Sequence, residues 1–230
     1  MCGMAGDSNP SPFVGEGGSP RSAASRVRGN SLGEPLAVLT IGHSKHTIER
    51  FIALLAETRV TAVADVRSAP ISRFSPHFNK GALAASLAER SIAYVFLGEE
   101  LGGRPQQQDM FTLGVADYEK MAASELFRAG LQRLILGAEQ HLIAVMCAEA
   151  DPLDCHRCLL VGRALAGANV DVGHILASGE IITHGQAEER LLHLENLTEA
   201  GLLLRSRDER LVEAYRSRGR KVAYAQPAKA

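Results

Sequence analysis

From Leu36 onward, short continuous apolar runs alternate with longer stretches whose apolar residues recur at helical spacing. The runs occupy residues 36–41, 60–66, 92–97, 142–145, 172–176 and 180–183. The runs at 36–41, 60–66 and 142–145 read as buried strands, those at 92–97 and 172–176 as further strands, and Ser178-Gly179 as a turn into 180–183. Between them, Thr47 is placed to cap a helix that carries Ile48, Phe51, Ile52, Leu54 and Leu55 on one face. Asn79 is placed to start another through residue 90, with Leu83 and Leu87 inward, and residues 115–137 read as one long helical region. Asp154 occupies an N-cap position that puts Cys155, His156 and Arg157 in the first turn of a helix ending near Gly167. Strands alternating with helices predict a single α/β domain whose mostly parallel sheet is covered by helices on both faces.

The flanks follow a different pattern. Residues 1–35 are rich in Gly, Ser, Pro and Arg, lack periodicity, and have no apolar core of a signal peptide. They read as a disordered leader ahead of a domain spanning 36–195. Residues 196–230 read as a charged helical tail with a frayed end from Gln226. Its arginines give it a basic cast, but Asp208, Glu209 and Glu213 are interspersed, which favours a solvated helix over a nucleic-acid arm.

Composition narrows the functional classes. A formal net charge of −1 removes any global electrostatic case for nucleic acid or a membrane surface, and the absence of Trp weakens base stacking. No segment approaches the ~20 apolar residues that span a bilayer, so no membrane partner is expected. The four cysteines lie at 2, 147, 155 and 158, which is not a distributed disulfide framework; reduced thiols and a cytoplasmic location are expected.

Candidate chemistry gathers where strands end. Strand one runs out at Thr40-Ile41-Gly42-His43-Ser44, strand two at Asp65-Val66-Arg67, and the fourth at Cys147-Ala148-Glu149. In a parallel sheet these carboxyl ends converge on one edge, the usual place for a ligand site. His43, Asp65, Cys147, Glu149 and Cys155 are therefore the candidate catalytic groups, with Arg67, Arg73, His156 and Arg157 as candidate binders of a small anionic or nucleotide-related substrate. Asp65 requires a partner at the end of an apolar strand, and Arg67, Arg73 and Arg157 are the choices. The same residues have structural readings: Cys147 as a small buried hydrophobe, Asp65 with Arg67 as a plain ion pair, His43 on a loop carbonyl.

Several chemistries remain open. Glu149, Asp151 and Asp154 in the loop after Cys147 would repel a phosphate cradled there, against a cysteine phosphatase. Cys155-His156-Arg157-Cys158 has the C-x-x-C spacing of thiol redox, but late in the domain. Cys147, Cys155, His156 and Cys158, with His43 or His174, contain metal-ligating types without the spacing of a zinc knuckle, and no metal ligand is assigned from sequence. Neither a Walker loop nor G-x-G-x-x-G is present, and the cofactor is unknown. A non-catalytic ligand- or nucleic-acid-binding module is the competing class, and the oligomeric state is not legible.

Taken together, Thr40-Ile41-Gly42-His43-Ser44, Asp65-Val66-Arg67 with Pro70, Ser72, Arg73 and Phe74, Leu101-Gly102-Gly103, Met146-Cys147-Ala148-Glu149, Cys155-His156-Arg157 and His174-Ile175 resemble the domain of unknown function 488 family. The resemblance covers roughly residues 36–194. It implies a shared polar set of His43, Asp65, Arg67, Arg73, Cys147, Glu149, Cys155, His156 and Arg157, and no particular reaction.

Overall fold

The computed structural model describes residues 38–198 and 205–227; the leader expected over 1–35 lies outside them. Six strands form one sheet: β1 (Val38–Gly42), β2 (Ala62–Asp65), β3 (Ala93–Phe96), β6 (Ile143–Cys147), β7 (Val172–Ile175) and β8 (Ile181–Thr183). Their spatial order is β3-β2-β6-β1-β7-β8, with the first five parallel and β8 antiparallel to β7. This is the single α/β domain with a mostly parallel sheet that the apolar runs predict.

Period-two alternation divides the strand residues between two cores. Leu39, Ile41, Val63, Ala144 and Met146 pack beneath α1 (Ile48–Glu57) and α2 (Lys80–Ala88). Val38, Ala62, Ala64, Ile143, Val145 and Cys147 face the opposite way. There they meet α4 (Tyr118–Ala123), α5 (Glu125–Ala138) and α6 (Arg163–Gly167), while α3 (Gly98–Leu101) packs beside α5. Both faces of the central strands are thus dry, and burying side chains such as Phe51 or Leu134 contributes about 1.5–3 kcal/mol each; β3, at the sheet edge, instead alternates exposed and half-buried residues.

The structure corrects the sequence expectations at the 115–137 helix and at the Asp154 cap. Residues 115–137 are not one helix. Phe111–Thr112 (β4) and Val115–Ala116 (β5) form a hairpin across Leu113 and Gly114, both at positive φ, after which Asp117 caps α4 and Ser124 caps a separate α5. Asp154 is not an N-cap: it closes a 3-10 turn, Pro152–Asp154, whose cap is Asp151. Cys155 is extended (φ −140°, ψ 141°), its carbonyl accepts from Leu159 N, and its sulfur accepts from Arg157 N at 3.4 Å. The thiol occupies the place expected for the carboxylate. The helix that follows begins as a π-helix, Arg157–Gly162, before tightening into α6.

The tail is helical, but it is docked rather than merely solvated. In α8 (Arg207–Val222), opened by a Ser206–Glu209 capping box, Leu211, Ala214 and Tyr215 are buried against α7 (His184–Leu194). Gln226 is not frayed: its N–H donates to Gly114 O at 2.8 Å, and Ala225 bridges to Val115. Residues 228–230 lie outside those described.

One close approach fixes the site edge. A Cβ on Gly42, the last residue of β1, would lie 1.8 Å from Glu149 O and 3.2 Å from Arg157 Nη1. Gly42→Ala is expected to cost about 1–3 kcal/mol through overpacking against backbone that cannot give. Gly167→Ala, with open space around its Cβ position, is expected to be neutral or stabilising. Urea denaturation at constant m-value measures both; equal stabilities for the two variants would refute the close contact.

Candidate functional site

The carboxyl ends of β1, β2 and β6 lie side by side, and the pairing continues past them. His43 N donates to Cys147 O (2.9 Å), Ser44 N to Ala148 O (2.8 Å) and Val66 N to Met146 O (3.0 Å). Strand parity then sorts the polar residues onto two faces. Asp65 follows Val63 toward α1 and α2, whereas Cys147 follows Val145 toward α4–α6. The expected constellation therefore divides into two linked groups.

In the first group, Asp65 is fully buried and Arg67 nearly so. Arg67 Nε donates to Asp65 Oδ1 (2.9 Å) and Nη2 to Oδ2 (2.6 Å), a bidentate fork, while Tyr94 OH donates to Oδ2 at 2.8 Å. Arg67 Nη2 also donates to Phe78 O (2.8 Å), and Nη1 lies 3.4 Å from His43 Nε2. His43 stacks on Phe78 with centroids 4.3 Å apart. Burial and the adjacent Arg67 charge push the His43 imidazole down from 6.5 to about 4, so it is neutral at physiological pH.

The second group is chemically richer. Cys147 Sγ lies 3.1 Å and Cys155 Sγ 2.9 Å from the same Glu149 oxygen, Oε2. The two sulfurs lie 3.7 and 3.8 Å from His156 Nδ1. His156 Nε2 is 3.0 Å from Val66 O, which can only accept, so Nε2 carries a proton and Nδ1 points at the sulfurs. Burial disfavours the charged imidazole, but the Cys155 and Glu149 charges and the Val66 hydrogen bond outweigh it and push the ring up. Gly103 makes this possible, since a Cβ there would sit 2.8 Å from His156 Nδ1. Contact with Cys155 and burial push the Cys147 thiol up. Burial works against the Cys155 thiolate, but the Cys147 hydrogen bond and the Arg157 and His156 charges outweigh it and hold Cys155 low. Burial and the Cys155 charge raise Glu149.

These groups open into a cleft of about 250 Å³ lined also by Arg67, Ser68, Arg104 and Tyr224. Of the residues expected there, Cys147, Glu149, Cys155, His156 and Arg67 line it. His43 and Asp65 reach it only through Arg67. Arg73 is exposed at the surface, with its guanidinium 5.1 Å from the Phe74 ring centroid, and is not part of the site. Arg157 is fully buried and bonds carbonyls rather than carboxylates, Glu149 O at 2.6 Å and Ala150 O at 2.9 Å. Arg104 and Tyr224 were not legible from sequence: the first sits in an unpatterned loop, the second in the tail. A larger depression of about 360 Å³ near α8 is lined by no cysteine or histidine.

The fold and the cleft define an α/β protein with a thiol–imidazole–carboxyl site at the carboxyl edge of its sheet. The family model for the domain of unknown function DUF488 matches residues 47–164, slightly more than half of the chain, and the protein belongs to that family. Comparison with curated proteins and with solved structures gives no match. No helix among the described residues is long and apolar enough to cross a membrane.

Two outcomes test this geometry. Arg67→Lys keeps the charge but not the fork, and is expected to cost about 2–3 kcal/mol in urea unfolding; a loss under about 0.5 kcal/mol would show the pair to be dispensable. For His43, the unfolded chain takes up its proton near 6.5 and the native state only near 4. Stability from this group is therefore present above 6.5 and lost as pH falls toward 4, by about 3 kcal/mol in full. In His43→Gln that part of the pH dependence should vanish; an unchanged profile between pH 6.5 and 4 would assign it to other groups.

Proposed function

We propose that this protein is a metal-dependent enzyme acting on a small anionic substrate, with Cys147, Cys155 and His156 holding a zinc-class ion and Glu149 transferring protons beside it. One observation carries the reading: two sulfurs, a ring nitrogen and a carboxylate oxygen converge on one point at the base of an open cleft. A tetrahedral ion with bonds of about 2.3 Å to sulfur and about 2.0–2.1 Å to nitrogen sets S···N edges of about 3.5 Å, close to the 3.7 and 3.8 Å here. Val66 O holding the far nitrogen of His156 is the outer-shell contact that fixes a ligating ring.

Bound there, the ion supplies Lewis acidity. The chain's own groups do the rest. Glu149, with its carboxyl at the cleft beside both sulfurs, is placed to take a proton from a reacting group and return it. Arg67 and Arg104 supply positive charge along the cleft wall for an anion. Arg67 is held rigid by Asp65, so that Asp65 acts as a positioning residue.

A second reading is supported by the two free thiols meeting at one carboxylate: Cys147 and Cys155 as a dithiol that cycles to a disulfide. Elemental analysis with a thiol count on full-length protein purified without chelators separates the two. The proposal expects one zinc-class ion per chain. Cys155→Ser should weaken zinc binding by at least 100-fold in competition titrations, and Gly103→Ala, which displaces the His156 ring, by about 10-fold. Metal-free protein carrying a Cys147–Cys155 disulfide would overturn the metal reading in favour of the redox one.

A further inference from the structure

A second donor cluster lies behind the first, away from the cleft. Cys158, His174 and His184 are all buried, and their Sγ, Nε2 and Nδ1 atoms fall within 4.8 Å of one another. Cys158 Sγ is 3.7 Å from His174 Nε2, which is 3.0 Å from His184 Nδ1. None of these atoms serves the proposed reaction. Each residue comes from a different element: the π-helix, β7 and the first position of α7.

Each histidine is held by its far nitrogen. Thr40 Oγ1 lies 2.8 Å from His174 Nδ1, and Tyr215 OH lies 3.0 Å from His184 Nε2 while donating to Glu188 Oε1 at 3.2 Å. Because the Tyr215 proton goes to Glu188, its oxygen accepts from His184 Nε2–H, leaving the inward Nδ1 of His184 as a lone pair. Hydroxyl partners on the outer nitrogens, with the inner ones converging, are the arrangement that orients ligating histidines. The backbone also makes room. Arg163 N donates to Cys158 O, the i→i−5 bond of the π-turn, and a Cβ on Gly162 would lie 3.4 Å and 3.5 Å from the Cε1 atoms of His184 and His174. Single π-turns recur at functional sites.

We propose that Cys158, His174 and His184 form a second metal site, closed to solvent, for a soft monovalent cation of the Cu(I) class. One thiolate and two neutral imidazoles with a +1 ion make a neutral assembly, the least costly to bury. A divalent ion would leave a net positive charge beside Arg163, whose guanidinium lies 4.5 Å from the Tyr215 ring centroid; Glu188 is already engaged by Arg207. Structural zinc sites also take four ligands, and three are offered here. Thiolate and imidazole donors suit a cuprous ion. Binding releases one proton, from the Cys158 thiol. The His174 proton moves from Nε2 to Nδ1, where the Thr40 oxygen accepts it. The site does not depend on the cleft reading and stands or falls separately.

The full-length chain carrying Cys147→Ser and Cys155→Ser removes the cleft thiols and isolates the second site. Anaerobic titration with Cu(I) against a cuprous chelator is expected to show one equivalent retained, with X-ray absorption reporting one sulfur and two nitrogen ligands. Adding Cys158→Ser or His184→Asn should weaken retention by at least 100-fold. No retention, retention indifferent to both substitutions, or stronger binding of Zn(II) than Cu(I) would overturn the proposal. If the doubly substituted chain does not fold, the unsubstituted chain should bind one equivalent more than the Cys158→Ser chain, whatever the cleft holds; equal binding by the two overturns it equally.

Discussion

The fully buried guanidinium of Arg157 is the constraint around which the site edge is arranged. It reaches back under the loop after β6 and holds the Glu149 and Ala150 carbonyls at 2.6 and 2.9 Å, so the loop folds over the end of β1 instead of leaving the sheet. Gly42 lacks a side chain where that loop passes, and the Gly42 close approach involves both Glu149 O and Arg157 Nη1. The strand-one and helix-start motifs, more than a hundred residues apart, are thus two halves of one contact. With its carbonyl tied down, Glu149 presents its carboxyl to both cleft sulfurs. A buried guanidinium without a carboxylate is unfavourable unless other negative charge lies near. Here two carbonyl oxygens accept from it, and its charge is among the influences that hold the Cys155 thiol low.

What was legible follows from how local each signal is. The β1, β2, β6 and β7 runs were readable because their residues are buried on both faces of the sheet, whereas β3 lies at the edge and alternates exposed and half-buried residues although its sequence is as apolar. The β4–β5 hairpin was not, since two-residue strands are too short to show alternation and its turn uses Leu113 at φ +52° in place of an Asn or Asp. The docking of α8 was obscured because Leu211, Ala214 and Tyr215 are sparse among charges whose partners, such as Glu119 for Arg216 and Asp154 for Arg218, lie far away in sequence.

The site was legible in its address and less so in its membership. Convergence of strand ends brings Cys147, Glu149, Cys155, His156 and Arg67 around one cleft. Parity of β2 against β6 sends Asp65 and its neighbour His43 to the other face, an outcome that depends on register across the sheet. Arg73 falls on an exposed loop, and Arg157 chooses backbone acceptors, which carry no sequence signature at all. The second cluster was hidden because His174 sits within a strand and its partners His184 and Tyr215 arrive from two later helices.

The π-turn ties these observations together. Cys155 and His156 stand at its entrance facing the cleft, Arg157 turns inward beneath the Glu149 loop, and Cys158 faces His174 on the far side. Four consecutive side chains thereby serve three separate environments. An α-helical start separates successive side chains by about 100°, and the wider π-turn opens space that Gly162 leaves unfilled for the two imidazoles. The two thiol environments then differ in access more than in composition. Cys155 is held toward its thiolate beside an open cleft, whereas burial pushes the Cys158 thiol up to about 12 with no opening onto that cleft. An exchangeable ligand belongs at the first position, and an ion sequestered from water at the second.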